Sequence, residues 1–261
     1  MSVAPSPNIP RRALVTGAGR RIGRAIALML GAEGWRVAVH HHRSQDAAEA
    51  VVREIEAGGG KAVAIAADLA DEEAVARLVS EAAAALGGPL GCLVNNASVF
   101  ENDLALTATR QSWDHHLETN LRAPFVLMQD FARQLPADAE GAVVNMLDER
   151  VWSITPYFVS YTVSKAALWA LTQSMALALA PRIRVNGIGP GPTLPSPRQS
   201  DEQFRRQAAA MPLGHGTSPE EIAEAVRFIL AAPAMTGQMI ALDGGQHLGW
   251  AQPATRPPWE E

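Results

Sequence analysis

Tyr161 and Lys165 stand four residues apart in Ser-Tyr-Thr-Val-Ser-Lys, and Asp148 lies thirteen residues ahead of the tyrosine. Four residues is about one helical turn, so the phenol and the ammonium share one helix face. An ammonium beside a phenol favours the phenolate, and the spacing therefore predicts that Lys165 makes Tyr161 a readier proton donor. A carboxylate nearby accepts hydrogen bonds and repels an alkoxide, so Asp148 suits a substrate that offers N–H groups. The plainer alternative for the pair is two solvated helix residues.

A second set of residues has phosphate-binding character. Gly17, Gly19 and Gly23 lie in Thr-Gly-Ala-Gly-Arg-Arg-Ile-Gly, after a short apolar run and before a helical pattern. Glycines let the backbone approach a pyrophosphate, and a helix N-terminus supplies N–H groups and a favourable dipole. Arg20, Arg21 and Ile22 complete the turn. The spacing is G-x-G-x-x-x-G, one residue longer than the common dinucleotide fingerprint. His42, Arg43 and Ser44 follow the second apolar run, where an acidic residue would hold the ribose hydroxyls of NAD. Arg43 and Ser44 fit a 2′-phosphate instead, which points to NADPH; a solvated basic turn is the alternative. Neighbours along a strand alternate faces, so His40, His41 and His42 are not read as a metal site. Asp68 and Leu69 end the third apolar run, as an adenine-contacting position or a helix cap. Asn95, Asn96 and Ala97 end the fourth. Pro190, Gly191 and Thr193 end the sixth, where backbone groups can hold a carboxamide.

The elements that must carry these residues alternate. Strands are expected at Ala13–Thr16, Arg36–His40, Ala62–Ala66, Cys92–Asn95, Ala142–Met146, Arg184–Gly187 and Met239–Leu242. Helices are expected near Gly23–Glu33, Gln45–Ala57, Glu72–Ala85, Gln111–Leu135, Val159–Ala180 and Pro219–Leu230, with a short one at Asp201–Ala210. Apolar strands separated by helices imply an α/β fold, a doubly wound parallel sheet of Rossmann type covered on both faces. No long linker divides the chain. The expected organisation is a flexible N-terminus over residues 1–10, one domain over 11–249 and a proline-rich tail over 250–261.

Composition narrows the function classes. The chain has 261 residues, 48% hydrophobic and 19% charged, with a net charge of −5. That balance argues against a nucleic-acid surface. No segment reads as a secretory signal or a membrane span, so a cytoplasmic enzyme is expected. Cys92 is the single cysteine, set in an apolar run as a buried, inert thiol. His115 and His116 are expected at a surface or subunit contact.

Taken together, the motifs resemble those of the short-chain dehydrogenase/reductase family over nearly the whole chain. The matching residues are Thr16–Gly23, Asp68, Asn95-Asn96-Ala97, Asn120, Tyr161 with Lys165, Pro190-Gly191 and the late Leu242–Gly245. The resemblance implies a homotetramer, Tyr161 as general acid, Lys165 holding the nicotinamide ribose, and Asn120 positioning a relay water. The family's usual serine is replaced by Asp148, a pattern similar to the pteridine-reductase branch. Arg21, His42-Arg43-Ser44, Ser98 and Phe100 extend that likeness. It implies NADPH as cofactor and a pterin substrate contacted by Arg21, Ser98, Phe100, Asp148 and Tyr161, with Phe100 stacked on the ring. Two other readings stand: an NADPH-dependent carbonyl or 3-oxoacyl reductase, and a non-catalytic NADPH-binding regulatory protein.

Overall fold

The computed structural model describes residues 4–249, so the proline-rich tail expected at 250–261 lies outside them. Seven strands form one parallel sheet in the order β3-β2-β1-β4-β5-β6-β7. They are β1 Arg12–Val15, β2 Arg36–His41, β3 Lys61–Ala66, β4 Cys92–Asn95, β5 Gly141–Met146, β6 Ile183–Pro190 and β7 Met239–Leu242. The register pairs Val15 with Val39 on one side and with Val94 on the other. Winding outward in both directions from β1 and β4 leaves a crevice at their C-terminal ends, where α/β sheets bind ligands.

Alternate strand residues feed two cores, because side chains alternate faces along a strand. Val15, Val39, Val94 and Val144 pack with α1 (Arg21–Ala32), α2 (Gln45–Ala57) and α8 (Pro219–Ala231). Leu14, Ala38, Leu93 and Val143 pack with α3 (Glu72–Ala85), α5 (Ala123–Gln134) and α6 (Val159–Ala178). Asp71 caps α3 by accepting from the N–H groups of Glu73 and Ala74, so the cap is not Asp68. Ile9 is buried in the first core, which ties down the end of the segment expected to be loose.

The long helix expected over Gln111–Leu135 is interrupted. It forms α4 (Arg110–Leu117), a π-helical turn at Glu118–Arg122, and then α5. Pro124 lacks an N–H and sits in the first turn of α5, where none is required. The wide turn carries Asn120, and such turns mark functional positions. The remaining helix, α7 (Asp201–Ala209), has no buried residue and follows the loop after β6. Among the described residues, no helix is long and apolar enough to cross a membrane.

Candidate active site

Tyr161 and Lys165 lie in the first turns of α6, which packs along β6. The tyrosine hydroxyl donates to Asp148 Oδ2 at 2.6 Å. Asp148 ends the segment after β5 and caps the short helix Glu149–Val151, its Oδ1 accepting from the Arg150 N–H at 2.9 Å. Arg150 Nη1 lies 3.7 Å from Asp148 Oδ2. Lys165 is 2% exposed, and its Nζ donates to the Met146 carbonyl at 2.8 Å.

This geometry corrects one expectation. Burial, then the Asp148 carboxylate, push the Tyr161 phenol well above its ordinary value. Lys165 Nζ sits 5.8 Å from the Tyr161 ring centroid, committed to a backbone carbonyl. Burial lowers the lysine to about 8. The site therefore holds a protonated phenol rather than an acidified one.

The glycine loop is built for close approach. Gly17 has φ +62°, and a Cβ on Gly23 would lie 2.4 Å from the Gly17 carbonyl oxygen. Arg20 precedes α1 without a side-chain cap, leaving the first N–H groups of that helix for a ligand. Thr16 Oγ1 accepts from the N–H groups of Asn96 and Ala97. The Asn96 amide in turn donates to the carbonyls of Thr16 and Gly17. Asn95 departs from its expected role: it is buried, and its amide donates to Asn145 on β5. Strand alternation turns it away from the crevice.

His40 is a residue that sequence reasoning assigned no role. Its Nδ1 accepts from the Gly17 N–H at 3.0 Å, and its Nε2 lies 3.1 Å from the Ala67 carbonyl. It is 1% exposed, and burial, partly offset by the Ala67 bond, lowers its pKa to about 4. A neutral ring with Nε2–H satisfies both contacts. At the end of β2, His42 Nε2 lies 3.4 Å from Asp68 Oδ2, and Arg43 is exposed. The Ser44 hydroxyl lies beside Gly19. Leu69 is buried under this edge. Among the described residues, no cluster of His, Cys, Asp or Glu is placed to hold a metal ion.

The cleft between these parts is lined by Arg21, Ile22, Asn96, Ser98, Phe100, Asp148, Tyr161, Lys165, Pro190, Gly191 and Thr193. The expected residues Asn95 and Asn120 do not line it, nor do Gly17, Gly19, Arg20, Gly23, His42, Arg43, Ser44, Asp68, Leu69 and Ala97. Asn120 is fully buried, with Nδ2 donating to the Val99 carbonyl and Ser164 Oγ, and Oδ1 accepting from the Val99 N–H and Ser98 Oγ. Its side chain is a strut between the Ser98–Val99 segment and α6, with no polar atom left for a relay water. Arg21, at φ +53°, reaches across the cleft to donate to the carbonyls of Leu194 and Pro195. Gly191 passes so close to Asp243 that a Cβ would lie 2.6 Å from its Cα.

Phe100 lines the cleft but stacks on Phe158 at 4.4 Å, with Tyr161 edge-on at 4.6 Å. One face of the ring expected to hold a substrate is thus already covered. Phe158 itself has φ +55°, a region uncommon for a bulky residue and frequent at functional sites. His116, expected at a surface, is fully buried. Its Nδ1 lies 2.7 Å from Ser160 Oγ, and its Nε2 accepts from the Glu101 N–H. Asp103 accepts from both the N–H and the hydroxyl of Ser160. Together they pin the Phe100 loop to the start of α6. Burial pushes Cys92 up to about 12, consistent with an inert thiol.

A doubly wound sheet, a glycine turn at its crevice and a Tyr/Lys pair on the neighbouring helix define a dinucleotide-type oxidoreductase site. The short chain dehydrogenase family model matches residues 11–206, and the chain belongs to that family. Curated relatives include 3-oxoacyl-[acyl-carrier-protein] reductase FabG of Staphylococcus aureus, 37% identical, with 91% of this chain and 98% of the relative covered. The 3-oxoacyl-[acyl-carrier-protein] reductase of Synechocystis is 32% identical, with 89% and 95% covered. Among solved structures, the FolM alternative dihydrofolate reductase 1 of Brucella suis in complex with NADP is 47% identical, at a TM-score of 0.90. It covers 93% of this chain and 97% of its own. The Brucella canis counterpart, also with NADP, is 45% identical at a TM-score of 0.91, covering 96% and 100%.

Proposed function

We propose that this chain is an NADPH-dependent reductase of a ring C=N bond in a pterin. The observation that carries the reading is the 2.6 Å hydrogen bond from Tyr161 to Asp148. A carboxylate there accepts from the N–H groups of a heterocycle and gives the oxygen of a ketone no donor. The names and bound NADP of the two Brucella structures support the same direction.

The residues fit NADPH. Gly17, Gly19 and Gly23 leave a cradle that a Cβ would fill, and the uncapped start of α1 faces it. In this reading Arg43 and Ser44 would hold the 2′-phosphate, Asp68 and Leu69 the adenine side, and Pro190, Gly191 and Thr193 the carboxamide end. When bound, the cofactor supplies the hydride. Asp148 orients the substrate through its ring N–H groups. Tyr161 delivers its proton to the nitrogen beside the carbon being reduced, a contribution of ~10²–10⁴-fold. Lys165, its Nζ 5.8 Å from the Tyr161 ring centroid, offsets only part of the charge of the phenolate left behind. A panel assay with NADPH tests this: dihydropterins should be reduced far faster than simple ketones.

The second reading, a carbonyl or 3-oxoacyl reductase, has the FabG relatives in its favour. Preferential turnover of 3-oxoacyl thioesters in the same panel would establish it instead. NADPH binding without turnover of either class would leave the regulatory reading. A cytoplasmic homotetramer completes the proposal. Leu177 on α6 and Phe228 on α8 are 83% and 58% exposed, apolar surface that subunit packing would cover. Light scattering tests the assembly.

A further inference from the structure

Proton delivery from Tyr161 creates a charge problem that Lys165 does not resolve. The step breaks the Tyr161 O–H bond, forms an N–H bond on the ring, and leaves the electron pair on the phenolate oxygen. That oxygen starts 2.6 Å from Asp148 Oδ2, so the step sets two anions against each other in a buried site. Like charges at that separation oppose ionisation strongly. Among the described residues, three cations line the cleft: Arg21, Arg150 and Lys165. Arg21 is exposed and donates to the carbonyls of Leu194 and Pro195. Lys165 is held on the Met146 carbonyl. The third, Arg150, belongs to none of the sequence motifs.

The position of Arg150 is built by the carboxylate it faces. Asp148 Oδ1 accepts from the Arg150 N–H at 2.9 Å, and the same turn brings the guanidinium Nη1 to 3.7 Å from Oδ2. Arg150 is 6% exposed. Its guanidinium carbon lies 5.3 Å from the Phe100 ring centroid and 5.2 Å from that of Phe158, within cation–π range. The rings hold the cation beside the carboxylate without neutralising it. A charge-assisted hydrogen bond spans about 2.7–2.9 Å, so at 3.7 Å the pair is close but not closed. Oδ2 therefore faces a neutral donor in contact and a cation one step back. Once the phenol turns to the substrate, Oδ2 loses its donor and the guanidinium can take that place.

The surrounding charges agree with this arrangement. Burial, then Asp148, raise the Tyr161 phenol, and Arg150 opposes them. Burial, then Asp148, push the neighbouring Glu149 up to about 8, so it adds little negative charge at neutral pH. Arg198 is exposed and donates to the Phe100 carbonyl.

We propose that Arg150 is a positioning residue for proton delivery: acting through Asp148, it balances the negative charge left on Tyr161 by taking over Oδ2 as the phenol leaves it. The inference rests on the reading of Tyr161 as the acid and deepens it.

The test is kinetic. Arg150→Met keeps an apolar stem against the two rings and removes the charge. Turnover is followed by loss of NADPH absorbance, with dihydropterins and 3-oxoacyl thioesters in parallel. The variant's kcat should fall about thirtyfold, with KM and the NADPH dissociation constant within about threefold of native. Arg150→Lys, which restores a cation, should recover at least about a third of the native kcat. In an Asp148→Asn background, adding Arg150→Met should cost less than about threefold, because the anion it balances is gone. Arg150→Gln serves as the neutral variant if Arg150→Met does not fold, with the same loss expected. A folded neutral variant with near-native kcat, a loss confined to KM, or an equal loss in the Asp148→Asn background overturns the proposal. No gain for Arg150→Lys over the neutral variant overturns it as well. If only 3-oxoacyl thioesters are turned over, the pterin reading falls, and the same comparison on that substrate decides the role of Arg150. If dihydropterins are reduced and the neutral variant shows no loss of kcat, the role of Arg150 falls and the pterin reading stands. Turnover of neither class overturns both.

Discussion

The Tyr161 hydroxyl donates to Asp148 Oδ2 across 2.6 Å, joining α6 to the end of β5. The contact reverses the usual electrostatics of a Tyr/Lys pair. A buried phenol beside a carboxylate keeps its proton, while the lysine is held on the Met146 carbonyl. Proton delivery then depends on what the substrate does to Asp148. A group that engages the carboxylate frees the phenol to donate elsewhere.

Tyr161→Phe removes the proton and leaves the ring packed against Phe100. Fluorescence titration should give NADPH affinity within about twofold of the native value, while turnover falls by at least ~10²-fold. A variant keeping most of its activity would eliminate Tyr161 as the acid.

Asp148→Ser removes the carboxylate that raises the phenol. The pH at which Tyr161 titrates should move down, seen as an acid shift of the alkaline limb of the kcat/KM profile. Dihydropterin reduction should drop more than ketone reduction. Improved pterin turnover would refute the role given to Asp148.

Arg43 is exposed at the end of β2, next to His42 and Ser44. Arg43→Ala should weaken NADPH about tenfold or more, as expected for a lost charge-assisted contact, and NADH by much less. Equal losses for both coenzymes, measured by calorimetry, would remove the 2′-phosphate assignment.

His40 makes stability sensitive to acid. Its folded pKa is about 4 against an ordinary 6.5. Below about pH 6.5 the unfolded chain binds a proton that the folded chain refuses, so the stability present above 6.5 is lost toward pH 4. The loss approaches roughly 3 kcal/mol. Protonation also removes the acceptor that holds the Gly17 N–H. Urea unfolding between pH 7 and 4.5 should show this slope, and His40→Asn should flatten it. An identical slope in the variant would assign the acid sensitivity to other groups.

Much of the site was legible because its motifs are local. The glycine turn needs only residues 17–23 to announce itself, and Tyr161 and Lys165 share a helix face by spacing alone. The strands were recoverable for a similar reason: a parallel sheet buried on both faces needs short, continuous apolar runs. The periodicity over Gln111–Leu135 predicts one unbroken helix because it continues through the π turn. Only the hydrogen bonds of Asn120 to the Ser98–Val99 segment and to α6 show what that turn positions.

The amino-acid order by itself determined the fold class, the glycine turn and the pairing of a phenol with a lysine, since each follows from neighbours within a few residues. Tertiary structure decided which partner the phenol takes. It also set His40 beneath Gly17 and His116 against Ser160. These contacts join residues distant along the chain, and their chemistry depends on burial and distance, which appear only once the sheet has been wound.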